Sequence, residues 1–127
     1  MTNRIHHLNV ACADPYELAG WWSQVLGYER SEEDFPGDPE ALLIAPAGAG
    51  PGVLFCHVPD GRAAQSRLHL DLQPADHTRD EEVVRLLAIG ATLVNDQRKP
   101  DGKGWVVLAD PEGNEFCVER SAAERAG

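Results

Sequence analysis

The sequence predicts an α+β fold made of two copies of one β-α-β-β-β unit, on three observations. Strand-like and helix-like apolar patterns alternate in the same order in each half of the chain. Three landmarks recur in order at nearly one spacing: His7-Leu8-Asn9-Val10 returns as His69-Leu70-Asp71-Leu72 at an offset of 62, Leu26-Gly27 as Ile89-Gly90 at 63, and Phe55-Cys56 as Phe116-Cys117 at 61. A length of 127 residues suits one domain with an apolar core of its own.

In the first half, Ile5 to Ala11 has strand character. Asp14 offers an N-cap, Pro15 suits the first helical position, and Glu17 stands three residues after the cap. Leu18, Trp21, Trp22 and Val25 then follow at helical spacing, and Gly27 closes the helix where a left-handed residue is needed. Either tryptophan is expected in the core or at a dimer contact. Strands are expected over Tyr28 to Glu32, Ala41 to Ala45 and Gly52 to Val58, with the Pro- and Gly-rich stretch 46–52 as a turn or loop.

The second half repeats the order. Arg67 to Gln73 reads as a strand, and Thr78 with Glu81 forms a second capping pair. Val83, Val84, Leu86, Leu87 and Ala88 cover a helix face that ends at Gly90. Strands follow over Ala91 to Asn95, Trp105 to Ala109 and Glu115 to Glu119. Asp110-Pro111-Glu112-Gly113-Asn114 joins the last two as a tight turn, and residues 121–127 read as a frayed tail. The modules span about 4–58 and about 66–120 of a single domain.

Composition narrows the function. Net charge is −10, from 21 acidic and 11 basic residues, so phosphate backbones and anionic lipid are repelled; neither nucleic acid nor a membrane is an expected partner. No run of eighteen apolar residues exists, and the N-terminus lacks the apolar core of a secretory signal. Three cysteines without a CxxC pattern argue against a disulfide framework and for a reducing cytoplasm. The runs Glu32-Glu33-Asp34 and Asp80-Glu81-Glu82 read as solvated faces. No phosphate loop, dinucleotide fingerprint or HExxH pattern is present.

The repeat also locates chemistry. Each module carries a His on its first strand and a Cys on its last, separated by 49 residues in one and 48 in the other. If the modules pair symmetrically, His7, Cys56, His69 and Cys117 converge on a shared concavity. Two roles stay open for the histidines, catalytic acid/base or metal ligand in a cleft, and hydrogen-bonded sheet residue. Cys56 and Cys117 are either zinc ligands or small apolar, substrate-lining residues. Cys12 is structural. Asp71 and Glu119 lie two residues beyond these positions and offer carboxylates on the same face. Phe55, Trp105 and Phe116 are candidate substrate-lining residues, with the sheet core as their other role. Arg67 is either an anion contact or an exposed strand-edge residue.

These residues are familiar as a set. His7-Leu8-Asn9-Val10, the helix from Asp14 to Trp22 and Val25-Leu26-Gly27-Tyr28 resemble the first module of glyoxalase-like proteins of the vicinal oxygen chelate superfamily. Leu68 to Leu72, Ile89-Gly90-Ala91 and Asp110 to Phe116 resemble the second. The resemblance implies paired βαβββ modules forming a curved eight-stranded cleft, a homodimer, and a small organic metabolite as ligand. In many members the first and last strands of the modules hold a divalent metal; the positions here are His7, Cys56, His69 and Cys117. Metal-dependent members carry a carboxylate at one last-strand position, and this sequence has Cys at both. Two thiolates and two imidazoles suit a closed tetrahedral zinc site and not an open octahedral one, so typical glyoxalase I and ring-cleaving dioxygenase chemistry is not expected. A zinc site and a metal-free cleft both remain compatible with this set. So do a lyase, isomerase or group-transfer enzyme and a sequestering protein of the bleomycin-resistance type.

Overall fold

Both halves of the chain build the same short list of elements, as the repeat requires. The computed structural model describes residues 2, 5–58 and 70–127, and the chain divides into two compact units, Met1–Gln65 and Ser66–Gly127. Arg67 and His69 lie outside the described residues.

Unit 1 runs β1 (His7–Cys12), α1 (Pro15–Leu26), β2 (Glu29–Arg30), β3 (Glu40–Ile44) and β4 (Gly52–His57). Its sheet has the order β1-β4-β3-β2, with β1 parallel to β4 and the other pairs antiparallel. Helix α1 starts and stops as its sequence predicts. The Asp14 carboxylate accepts the Glu17 N–H, Pro15 opens the first turn, and Gly27 closes the helix at φ 73° while donating to the Ser23 carbonyl. Leu18, Ala19, Trp21 and Trp22 are buried, and the helix packs on β3 and β4. Under it lies the alternate row Ala41, Leu43, Val53 and Phe55, all buried. The indoles of Trp21 and Trp22 meet edge to face at 5.2 Å.

Strand β2 is shorter than the expected Tyr28 to Glu32 because the acidic run intervenes. Asp34 turns back on Ser31, and its carboxylate accepts the Leu42 N–H at 2.8 Å, a donor that a longer β2 would otherwise have to satisfy. One member of a run expected to be solvated therefore finishes the sheet.

Unit 2 runs β5 (Asp71–Leu72), α2 (Arg79–Ala88), β6 (Thr92–Asp96), β7 (Val106–Ala109), β8 (Glu115–Val118) and α3 (Ala122–Ala126). The strand order, β5-β8-β7-β6, reproduces that of unit 1, again with one parallel pair at β5 and β8. Thr78 and Glu81 form the expected capping box. Of the expected apolar face only Val83 and Leu86 are buried; Val84 and Leu87 are exposed. The buried stripe follows 79, 82, 83 and 86, the i, i+3, i+4, i+7 spacing of one helix face, and 84 and 87 fall outside it. Val106, Leu108, Phe116 and Val118 complete this core with no measurable exposure.

The turn between β7 and β8 is held by its first residue. The Asp110 carboxylate accepts the backbone N–H groups of Glu112 and Asn114 at 2.9 Å each, and both its oxygens accept from the Asn114 amide. Gly113 supplies the positive φ of 86°. Residues 121–127, read as a frayed tail, instead carry α3. Ser121 and Glu124 form a second capping box, and the Glu124 carboxylate also accepts the Arg79 N–H at the start of α2. A tethered cap explains why this terminus folds.

The two sheets differ in one respect. Cys56 stands opposite Ala11 in the parallel ladder of unit 1, whereas Cys117 stands opposite Asp71 in unit 2. Ala11 carried forward by the first-strand offset of 62 would be Gln73, so unit 2 is slipped by two residues. A two-residue slip leaves every side chain on its own face while changing its neighbours.

Candidate functional site

Each sheet has one face under its helix and one face turned away from it; the sequence-predicted polar residues divide between them by strand alternation. In unit 1 the away face carries His7 opposite Gly52, Asn9 opposite Leu54, and Ala11 opposite Cys56, with Leu42 and Glu40 continuing the last two rows on β3. Gly52 is needed at its position: an added Cβ would come within 2.6 Å of the Leu43 carbonyl oxygen and 3.7 Å of the His7 ring. The His7 ring also lies 3.9 Å from that of His6, centroid to centroid.

His7 and Cys56 thus share a face but not a row. They are four residues apart along the sheet, about 13 Å at a strand rise of about 3.3 Å, and a zinc ion bonds its ligands at about 2.0–2.3 Å. Within unit 1 they do not converge. Cys56 has a different neighbour, Glu40, directly across from it on β3. Burial and then the Glu40 charge push the Cys56 thiol above its usual range.

In unit 2 the away face places Cys117 between Asp71 on β5 and Val107 on β7. Cys117 is 8% exposed. Its thiol is pushed up to about 11, first by burial, then by the Asp71 charge and a hydrogen bond to that carboxylate, and further by Glu119 and Glu115. At neutral pH it is therefore a thiol that donates to Asp71, the reverse of the thiolate that nucleophilic attack requires. Of the two carboxylates weighed for this region, Asp71 is the one brought directly opposite the cysteine.

The expected four-residue metal set was His7, Cys56, His69 and Cys117. Register separates the first two, burial and carboxylates oppose ionisation of both thiols, and His69 lies outside the described residues. Among the described residues no three His, Cys, Asp or Glu side chains are grouped so as to hold a metal ion.

The aromatic candidates separate too. Phe55 and Phe116 are wholly buried in the row under the helix and do not line the away face. Each directly precedes a cysteine on its strand, and adjacent strand residues point to opposite faces, so Phe and Cys cannot both face a ligand. Trp105 is 42% exposed at the entrance to β7, and alternation puts it on the side of Val107 and Cys117.

Arg79 went unread in the sequence. Its guanidinium is buried, donates from one nitrogen to the carbonyls of Gly102, Lys103 and Gly104 at 3.1, 3.2 and 3.1 Å, and pairs with Asp80 at 2.9 Å. It thereby holds the loop that delivers Trp105. The available signal was a cation in the first turn of a helix, where the macrodipole disfavours one and a specific partner must compensate.

With this architecture in hand, a sequence model described as a glyoxalase-like domain matches residues 7–119. The chain belongs to the glyoxalase-like domain family. Solved structures of its superfamily share the fold. A glyoxalase/bleomycin resistance protein/dioxygenase family enzyme from Burkholderia phytofirmans aligns with a TM-score of 0.70 at 19% identity, over 91% of this chain and 97% of that one. The fosfomycin resistance protein FosX from Mesorhizobium loti aligns at 0.68 with 15% identity, over 99% and 98%. TioX from Micromonospora sp. aligns at 0.61 with 21% identity, over 93% and 98%. No curated protein sequence matches this one. The glyoxalase-like fold is thus common to this chain and these structures. Among the described residues, no helix is long and apolar enough to cross a membrane.

Proposed function

We propose that this glyoxalase-like protein binds a small organic molecule on the faces of its sheets turned away from the helices, without a metal as the binding group. The observation that carries the reading is the pairing of Cys117 with Asp71, a protonated thiol facing a carboxylate at a position from which a metal ligand would have to project. Unit 1 supports it with a similar pair, Cys56 and Glu40. Glu40 beside Leu42 and Leu54 in unit 1, and Asp71 with Val107 and Trp105 in unit 2, each suit a ligand with an apolar or aromatic body and a basic or hydrogen-bond-donating group. The fosfomycin resistance named for one structural neighbour agrees with a role in handling small molecules. A cytoplasmic homodimer is the setting proposed for it, in keeping with the free cysteines and the family resemblance.

The test joins elemental analysis of the purified protein to a thermal-shift screen of small organic amines and neutral aromatic compounds. Substoichiometric metal, with a shift from basic compounds that Asp71→Asn abolishes, is the expected result. One tightly held metal per chain, or turnover that depends on added metal, would overturn the metal-free reading and restore an enzyme of the lyase or group-transfer kind.

A further inference from the structure

His77, which no sequence pattern singles out, sits between two carboxylates. Its Nδ1 lies 2.6 Å from Asp76 Oδ1 and its Nε2 2.6 Å from Glu82 Oε1. An ionised carboxylate only accepts, and a neutral imidazole carries one N–H, so both contacts can be hydrogen bonds only when the ring is an imidazolium. The two acids differ in setting. Glu82 is 5% exposed on α2 and also accepts from Arg85, Nε at 2.7 Å to Oε1 and Nη2 at 2.9 Å to Oε2. Asp76 stands in solvent on the connector between β5 and α2. The charged groups facing His77 among the described residues are these two acids, with Arg85 behind Glu82.

We propose that His77 is a pH-operated latch that, when protonated, ties the connector between β5 and α2 to α2 and, when neutral, releases its Asp76 side. The direction of release follows from desolvation. Losing His77 takes from the buried Glu82 Oε1 one of its two hydrogen bonds, Arg85 Nε being the other, with no water to replace it, whereas an exposed Asp76 returns to water at little cost. The neutral ring therefore keeps its proton on Nε2 for Glu82 and turns a lone pair toward Asp76, which swings away. Hydrogen bonds donated to Glu82 and Asp76 also raise the His77 pKa above its ordinary value, so the change falls above pH 6.5. Burial pushes the Glu82 carboxyl up, but Arg85 and His77 more than offset this, so Glu82 stays ionised through the transition. The connector runs from Gln73, which donates to the Arg120 carbonyl, and Asp71 of the candidate site lies two residues before it.

Nitrogen-15 NMR of the imidazole, with amide exchange over residues 75–78 corrected for intrinsic rates, tests this on the full chain. Expected are a His77 pKa above 6.5, an Nε2–H tautomer at high pH, and connector protection that falls through that pKa. Asp76→Asn, a surface change that leaves the fold alone, should lower the pKa and flatten the change in protection. A pKa at or below 6.5, an Nδ1–H tautomer, or a titration unmoved by Asp76→Asn would overturn the latch. The outcome does not depend on whether the sheet face binds a ligand.

Discussion

Asp71 faces Cys117 across the parallel ladder of β5 and β8, and its carboxylate accepts the hydrogen bond of the cysteine thiol. Burial first, and then this carboxylate, keep the Cys117 thiol protonated. The related pair of Glu40 and Cys56 in unit 1 shares the charge effect, though its cysteine is less buried.

Replacing Asp71 by Asn removes the charge and weakens the acceptor, so the Cys117 pKa should fall from about 11 toward the ordinary thiol value while burial, Glu119 and Glu115 keep part of the shift. A raised thiol pKa means little thiolate below it, and each unit of decrease increases the thiolate fraction about tenfold. Peptide-resolved alkylation at pH 8 to 9 should show Cys117 reacting about threefold or more faster in Asp71→Asn. Equal rates would show that the carboxylate does not govern the thiol.

The aromatic residues should part company on mutation. Phe55→Ala and Phe116→Ala each empty a fully buried core position and should cost about 3–5 kcal/mol by denaturant unfolding. Trp105→Ala, at a residue 42% exposed, should leave stability within about 1 kcal/mol and weaken ligand binding instead. Large destabilisation by Trp105→Ala would place that indole in the core.

Arg79→Met keeps the length of the side chain but removes every donor to the carbonyls of Gly102, Lys103 and Gly104. A loss of about 2 kcal/mol is expected, since buried polar groups left unpaired cost about 1–3 kcal/mol. Amide exchange should quicken around residues 102–105 more than elsewhere. Uniform quickening would mean that Arg79 supports the unit as a whole and not this loop.

His77 makes stability depend on pH with a definite sign. Its folded pKa is raised above 6.5, so the folded state binds the proton more tightly than the unfolded chain. That contribution is fully present below pH 6.5 and is lost as pH rises through the folded value. The urea midpoint of the native protein should therefore fall across that window, and His77→Gln should remove this part of the fall. An identical pH profile in the variant would rule the histidine out as its source.

How much of this was legible depends on the range of the interaction involved. The caps at Asp14 and Thr78, the end of α1 at Gly27 and the turn at Asp110 to Asn114 are set within three or four residues, and all appear where the residues indicate. The tail, read as frayed, carries a local capping box at Ser121 and Glu124 that the residues did offer; what they could not show is that Glu124 also accepts from Arg79, 45 positions away. Phe55 and Phe116 carried two roles in the sequence, cleft lining and sheet core, and burial places both in the core, on the opposite strand face from the cysteine that follows each.

The sequence by itself determined the repeat, the order of elements and which residues share a face, because helical and strand periodicities are properties of neighbours along one chain. Only the tertiary structure decided who stands opposite whom. The residues that recur at an offset of 62 on the first strands and 61 on the last do not meet in the same register in the two sheets. A two-residue slip preserves the alternation and so leaves no mark on the pattern. Yet it sets Asp71, and not the counterpart of Ala11, against Cys117, because register is chosen by the packing of whole strands and their helix.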